Sequence, residues 1–136
     1  MERLQWPALV TVGVIALLFA VSWNVGKARG KYGIQAPATS GHPAFDRAFR
    51  VQMNTLESVV AFLPALWLFA AYVSAVWSAV FGAIWLVGRV WYAIAYQRDA
   101  ATRGTPFVIA SAAFMVLAVG AALGVARVFF YLGVTG

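Results

Sequence analysis

Side chains able to do chemistry gather in two short runs of an otherwise apolar chain. The first is Arg47-Ala48-Phe49-Arg50-Val51-Gln52-Met53-Asn54-Thr55-Leu56-Glu57. It opens into a stretch from Val51 to Gly88 whose one acidic or basic side chain is Glu57. A carboxylate that deep in apolar sequence is costly and points to a functional site with a partner. At roughly 100° per helical residue, Arg47, Arg50, Asn54 and Glu57 fall near 0°, 300°, 340° and 280°, one narrow polar stripe. Gln52 points nearly the opposite way, so it faces a different neighbour or a different subunit.

The second run is Gly88-Arg89-Val90-Trp91-Tyr92-Ala93-Ile94-Ala95-Tyr96-Gln97-Arg98, with Arg103 after it. Arg89, Tyr92 and Tyr96 share a face near roughly 0°, 300° and 340°, and Arg103 continues it if the helix runs that far. Arg89 and Glu57 lie at similar depths, roughly 12 and 15 Å inside the ends of their helices. They are therefore expected to form a structural ion pair, the cheapest way to keep either charge in lipid. Taken singly, Arg47, Arg50, Arg98 and Arg103 read as snorkelling anchors, and Tyr92 and Tyr96 as aromatic-belt residues. Their convergence on one side of the membrane is what favours a site.

The elements that hold these runs follow from composition. The chain has 136 residues, 63% of them hydrophobic and only 10% charged, with a mean hydropathy of +0.83. A soluble domain of this size cannot hide so much apolar surface, so the expectation is an all-α integral membrane protein forming one domain over 1–136. The absence of cysteine excludes disulfides and a cysteine nucleophile. His42 stands alone, and no metal site is expected. The net charge of +6 sits mostly at the ends of apolar runs, which fits membrane topology rather than nucleic acid.

Pro7 to Gly26 is uncharged and long enough to cross about 30 Å of hydrocarbon. A signal peptide is disfavoured there, because Glu2 offsets Arg3 and Trp23-Asn24-Val25-Gly26-Lys27 is a poor cleavage site. A basic loop is expected from Lys27 to Ala44. Val51 to Gly88 as one helix would be roughly 57 Å long, so it must be two spans turning near Ser74 to Ser78. Pro106 suits the first turn of a fourth. The expected bundle has four transmembrane helices near 7–26, 47–73, 77–98 and 106–131. One side carries Lys27, Arg29, Lys31, Arg47, Arg50, Arg98 and Arg103, the other Arg3 and Arg127. The positive-inside tendency then puts both basic loops in the cytoplasm and both termini outside or in a lumen.

The run from Arg47 to Glu57 resembles the signature of the MAPEG superfamily, the membrane-associated proteins of eicosanoid and glutathione metabolism. Gln52-Met53-Asn54-Thr55-Leu56-Glu57 and Ala28-Arg29-Gly30-Lys31-Tyr32 are most similar to the microsomal glutathione transferases. Gly88-Arg89-Val90 with Tyr92 and Tyr96 is similar to the family's third-helix motif. The resemblance implies a homotrimer with glutathione between adjacent subunits near the cytoplasmic face. Arg50, Asn54 and Glu57 would hold glutathione from one subunit, with Arg29, Gln52, Tyr92, Tyr96 and Arg103 from its neighbour. Arg103, seven residues after Tyr96, matches the arginine that activates the thiol in leukotriene synthase-like members. Ser58 departs from those members, where a tyrosine follows the glutamate.

The implied chemistry is physically sound. Glutathione is anionic, and arginines bind its carboxylates through bidentate contacts. A guanidinium near the sulfur lowers the thiol pKa from about 8.5 and favours the nucleophilic thiolate. A lipophilic electrophile, or a lipid hydroperoxide in a peroxidase reaction, would arrive through the membrane lipids. Two other classes compete: a non-catalytic membrane protein binding lipid or glutathione, and a small four-span transporter using Glu57. Transport requires a free, titrating Glu57, whereas the transferase reading has it held by Arg89 or by a ligand amine.

Overall fold

The computed structural model describes Arg3 to Thr135. Among the described residues four long helices follow in order: α1 (Gln5–Tyr32), α2 (Pro43–Tyr72), α3 (Ala75–Arg98) and α4 (Gly104–Thr135), with a short 3-10 turn, Ala100–Arg103, before α4. All four are long and apolar enough to cross a membrane. Even α3, with 24 residues, extends about 36 Å at 1.5 Å per residue.

The helices overrun the expected spans, chiefly at the basic end. α1 continues through Lys27, Arg29 and Lys31, so these cations occupy its last turns and not a loop. No strong breaker precedes Gly33, whose left-handed φ of 66° ends the helix, and cations suit the negative end of a helix dipole. α2 begins at Pro43, four residues before the expected start. His42 caps it, Nδ1 accepting from the Ala44 amide at 3.1 Å, and Pro43 is pre-set for a first turn. The connection therefore shrinks to 33–42. At the opposite end the turn falls at Val73 and Ser74, and the Ser74 hydroxyl caps α3 by accepting from the Trp77 amide at 3.2 Å. Pro64 lies inside α2 without ending it, as packed membrane helices tolerate.

α2 and α3 form the central pair, with α1 and α4 each packed across both. The main core joins Val10 and Val14 of α1, Val59, Phe62, Leu66 and Phe69 of α2, Trp85 of α3 and Ala110, Ala113 and Leu117 of α4. Phe62 and Trp85 stack with ring centroids 3.8 Å apart. α3 and α4 touch closely at Gly88, where an added Cβ would lie 3.2 Å from the Ala110 backbone nitrogen. The outer faces keep large apolar side chains in the open; Phe19 and Val60 are both 68% exposed. Water would penalise such a surface, whereas lipid or another subunit covers it without cost.

Candidate functional site

The polar residues of α2 and α3 meet near the basic end of the bundle. One cleft of ≈ 430 Å³ is lined by Thr39, Ser40, Asp46, Phe49, Arg50, Met53, Asn54 and Glu57. A second of ≈ 440 Å³ is lined by Asn54, Glu57, Ser58, Arg89, Tyr92, Arg103, Gly104 and Phe107. Asn54 and Glu57 are common to both, so the two clefts share a wall along α2. The three arginines are outnumbered by no acidic group: Asp46 is engaged with the loop, accepting from the Ser40 hydroxyl at 3.1 Å and the Gly41 amide at 3.2 Å. This leaves Glu57 as the carboxylate open to a ligand.

The α2 stripe is present with one exception. Arg50, Asn54 and Glu57 share a cleft, but Arg47 turns to α3 and its Nε donates to the Gln97 carbonyl at 3.2 Å. Gln52 does face elsewhere: its amide donates to the Ser22 hydroxyl of α1 at 3.0 Å. Arg29 stays at the end of α1, donating to the Ala38 carbonyl at 2.7 Å with its guanidinium 4.9 Å from the centre of the Phe45 ring. Neither Arg29 nor Gln52 lines either cleft.

On the α3 side, two cations bracket two rings in a column. The Arg89 guanidinium lies 4.2 Å from the Tyr92 ring centre, Tyr92 and Tyr96 are 5.6 Å apart, and Arg103 sits 5.2 Å over Tyr96. Arg103 joins the column although α3 stops at Arg98. Asp99, with extended backbone, ends the helix, and its side chain accepts from the Ala101 amide at 3.0 Å. The 3-10 turn then carries Arg103 back over the site.

Two expectations need correction. The Arg89–Glu57 ion pair is not made within the chain. Arg89 instead donates from Nη2 to the Thr55 hydroxyl at 2.9 Å. Thr55 lies two residues before Glu57, roughly 200° round the helix, so the hydroxyl that engages the guanidinium is on another face of α2 from the carboxylate, although Arg89 and Glu57 both line the second cleft. Similar depth, and even a common cleft, did not make a pair. The second correction concerns subunits. Tyr92 and Arg103 line the same cleft as Asn54 and Glu57 within one chain, and the Asn54 amide donates to the Tyr92 hydroxyl at 2.9 Å. They need no neighbour to meet.

Comparison with known proteins places nearly the whole chain in a family. The MAPEG family model matches residues 7–123. The chain belongs to the MAPEG family. Human microsomal glutathione S-transferase 2 is 36% identical over 106 residues, covering 78% of this chain and 72% of that protein. Mouse leukotriene C4 synthase is 35% identical over 118 residues, covering 85% and 79% respectively. A Synechocystis protein described only as uncharacterised is 47% identical over 123 residues, 90% of each chain.

In this MAPEG chain several residues of the site escaped the sequence reading. Thr55, which lines neither cleft itself, is a threonine in an apolar helix and so reads as packing, yet it is fully buried and holds the buried arginine. Phe107 and Gly104 come from α4, and only the packing of α4 on α3 brings them in. Asp46 falls just before the expected span at 47; in the structure it is an acid in the first turn of α2, a favourable place for one, and it fixes the loop lip through Ser40 and Gly41.

Proposed function

We propose that this MAPEG protein is a membrane glutathione transferase, joining the glutathione thiolate to lipophilic electrophiles. The observation that carries the reading is the cleft where Asn54, Glu57, Tyr92 and Arg103 converge beside an apolar, lipid-facing exterior. Glutathione offers two carboxylates, an ammonium and a thiol. Arg50 and the Tyr92 and Tyr96 hydroxyls suit the carboxylates, and Glu57 with the Asn54 carbonyl oxygen suits the ammonium. Arg103 acts at the sulfur. The relatives named for glutathione transfer and leukotriene C4 synthesis support the same reading.

In the reaction the thiolate sulfur attacks the electrophilic carbon and the C–S bond forms. The leaving group departs with the electron pair, and the thiol proton has already passed to solvent. Arg103 lowers the cost of holding the thiolate, and the cleft supplies proximity. The same thiolate can attack the terminal oxygen of a lipid hydroperoxide, the S–O bond forming as the O–O bond breaks and the lipid alcohol leaves; a second glutathione then converts the sulfenic acid to glutathione disulfide and water, so a glutathione peroxidase activity belongs to this proposal. A homotrimer fits the placement of Arg29 and Gln52, which point away from their own clefts and can complete a neighbour's. The charge distribution supports cytoplasmic basic ends and termini on the other side.

The test is detergent-solubilised protein mixed with glutathione and a chromogenic aryl halide. Saturable turnover in both substrates is expected. Tight glutathione binding without turnover would instead favour a binding protein, and no glutathione binding at all would sink the transferase reading and reopen transport through Glu57.

A further inference from the structure

Arg89 is the side chain hardest to account for by stability. It is 3% exposed and lies in α3 about 13 Å from the basic end. Its Nη2 donates to Thr55, but its Nε is buried without a hydrogen-bond partner. A cation so incompletely satisfied costs the bundle stability that an apolar residue of similar volume would not.

Its remaining contact is the face of Tyr92, and Tyr92 leads to the cleft. The Tyr92 hydroxyl accepts from Asn54 Nδ2. That bond leaves two groups free for a ligand, the phenolic proton of Tyr92 and the carbonyl oxygen of the Asn54 amide. Among the described residues the Asn54 amide has no second anchor: the Ser58 hydroxyl donates to the Asn54 backbone carbonyl at 2.8 Å, not to its side chain. The orientation of the amide thus depends on where the Tyr92 ring stands. The ring in turn is held by Arg89 on its face and by Tyr96 and Phe107, whose centroids lie 5.6 and 6.4 Å away.

We propose that Arg89 is a positioning residue which, through the ring of Tyr92, fixes the Asn54 amide and so the way round in which the ligand's polar groups are held. It touches no reacting atom. The inference rests on the glutathione reading, because the ligand whose binding it sets is glutathione. A flat guanidinium anchored at Thr55 keeps the ring from rocking, and a compact ammonium does not present such a face. Arg89→Lys therefore separates charge from positioning.

The experiment uses the purified protein in lipid nanodiscs, with glutathione as the probe and the aryl halide as second substrate. Wild type, Arg89→Lys, Asn54→Ala and the double variant are compared in glutathione KM, kcat and melting temperature. Arg89→Lys is expected to raise the glutathione KM roughly tenfold, the scale of one ligand hydrogen bond, with kcat nearly unchanged. In the Asn54→Ala background the same change should leave KM where it was, since its effect passes through that amide. A lower melting temperature with unchanged KM, or KM effects that simply multiply in the double variant, overturns the proposal. If Arg89→Lys does not assemble, Thr55→Val removes the hydroxyl anchor and keeps the arginine. It should raise KM about threefold, and an unchanged KM there also overturns it. Wild type that binds no glutathione removes the functional reading and this inference together, whereas bound glutathione with multiplicative effects removes this inference alone.

Discussion

Replacing Glu57 by glutamine separates a structural carboxylate from a ligand-binding one. Had Glu57 paired with Arg89, the variant would strand a buried guanidinium and cost several kcal/mol. In the structure Arg89 is engaged by Thr55 and Tyr92, and Glu57 is exposed at the cleft. Glutamine has nearly the same shape, so the fold should lose no more than about 0.5 kcal/mol, the scale of a surface substitution, or about 2 °C in melting temperature. Ligand binding should suffer far more. A charge-assisted hydrogen bond from the glutathione ammonium is worth about 1.5–3 kcal/mol, which is about a 10- to 150-fold rise in Kd. Thermal melting in detergent and calorimetric titration with glutathione read both quantities on one preparation. A melting temperature that drops by many degrees while Kd holds would refute the reasoning and return Glu57 to a structural role in the assembled protein.

Arg103→Ala should lower turnover by about 10- to 1000-fold, the scale of one electrostatic stabiliser, with little change in glutathione Kd. Because the cation favours thiolate over thiol, its loss raises the bound thiol's pKa toward about 8.5. The acid limb of the pH–rate profile should then move to higher pH, as ultraviolet thiolate absorbance would show. Arg50→Ala should do the reverse, weakening glutathione binding most and leaving the thiol titration in place; equal Kd values in wild type and Arg50→Ala would exclude it from the site. Gly88→Ala puts a methyl carbon 3.2 Å from the Ala110 backbone. Its gain in helix propensity, about 1 kcal/mol, is opposed by overpacking of about 1–3 kcal/mol. The expected result is a small loss of melting temperature, with a larger loss of activity as α4 carries Phe107 and Gly104 outward. Activity untouched by Gly88→Ala would show that the cleft does not depend on that helix contact.

How far the site was legible depended on the kind of information each residue needed. The faces of single helices were readable, because periodicity is local: Arg50, Asn54 and Glu57 do share a cleft and Gln52 does face away. The column from Arg89 to Tyr96 was readable for the same reason. Pairings between helices were not. Depth along α2 and α3 suggested Glu57 for Arg89, but the rotation of each helix about its axis chose Thr55.

Composition and pattern alone sufficed for a chain too apolar for water, the four spans and their order, the turn near Ser74, and the two polar runs at one end. These follow from hydropathy, helical period and charge, which need no partner. The tertiary structure decided what touches what. It showed that α1 carries its cations on helix to Tyr32, where only Gly33 stops it. It brought Arg103 back to Tyr96 through a 3-10 turn after α3 had ended. It also joined Asn54 to Tyr92 in one chain, 38 residues apart. Contacts of that range depend on helix rotation and close approach, as at Gly88 against Ala110, and packing of whole helices fixes both.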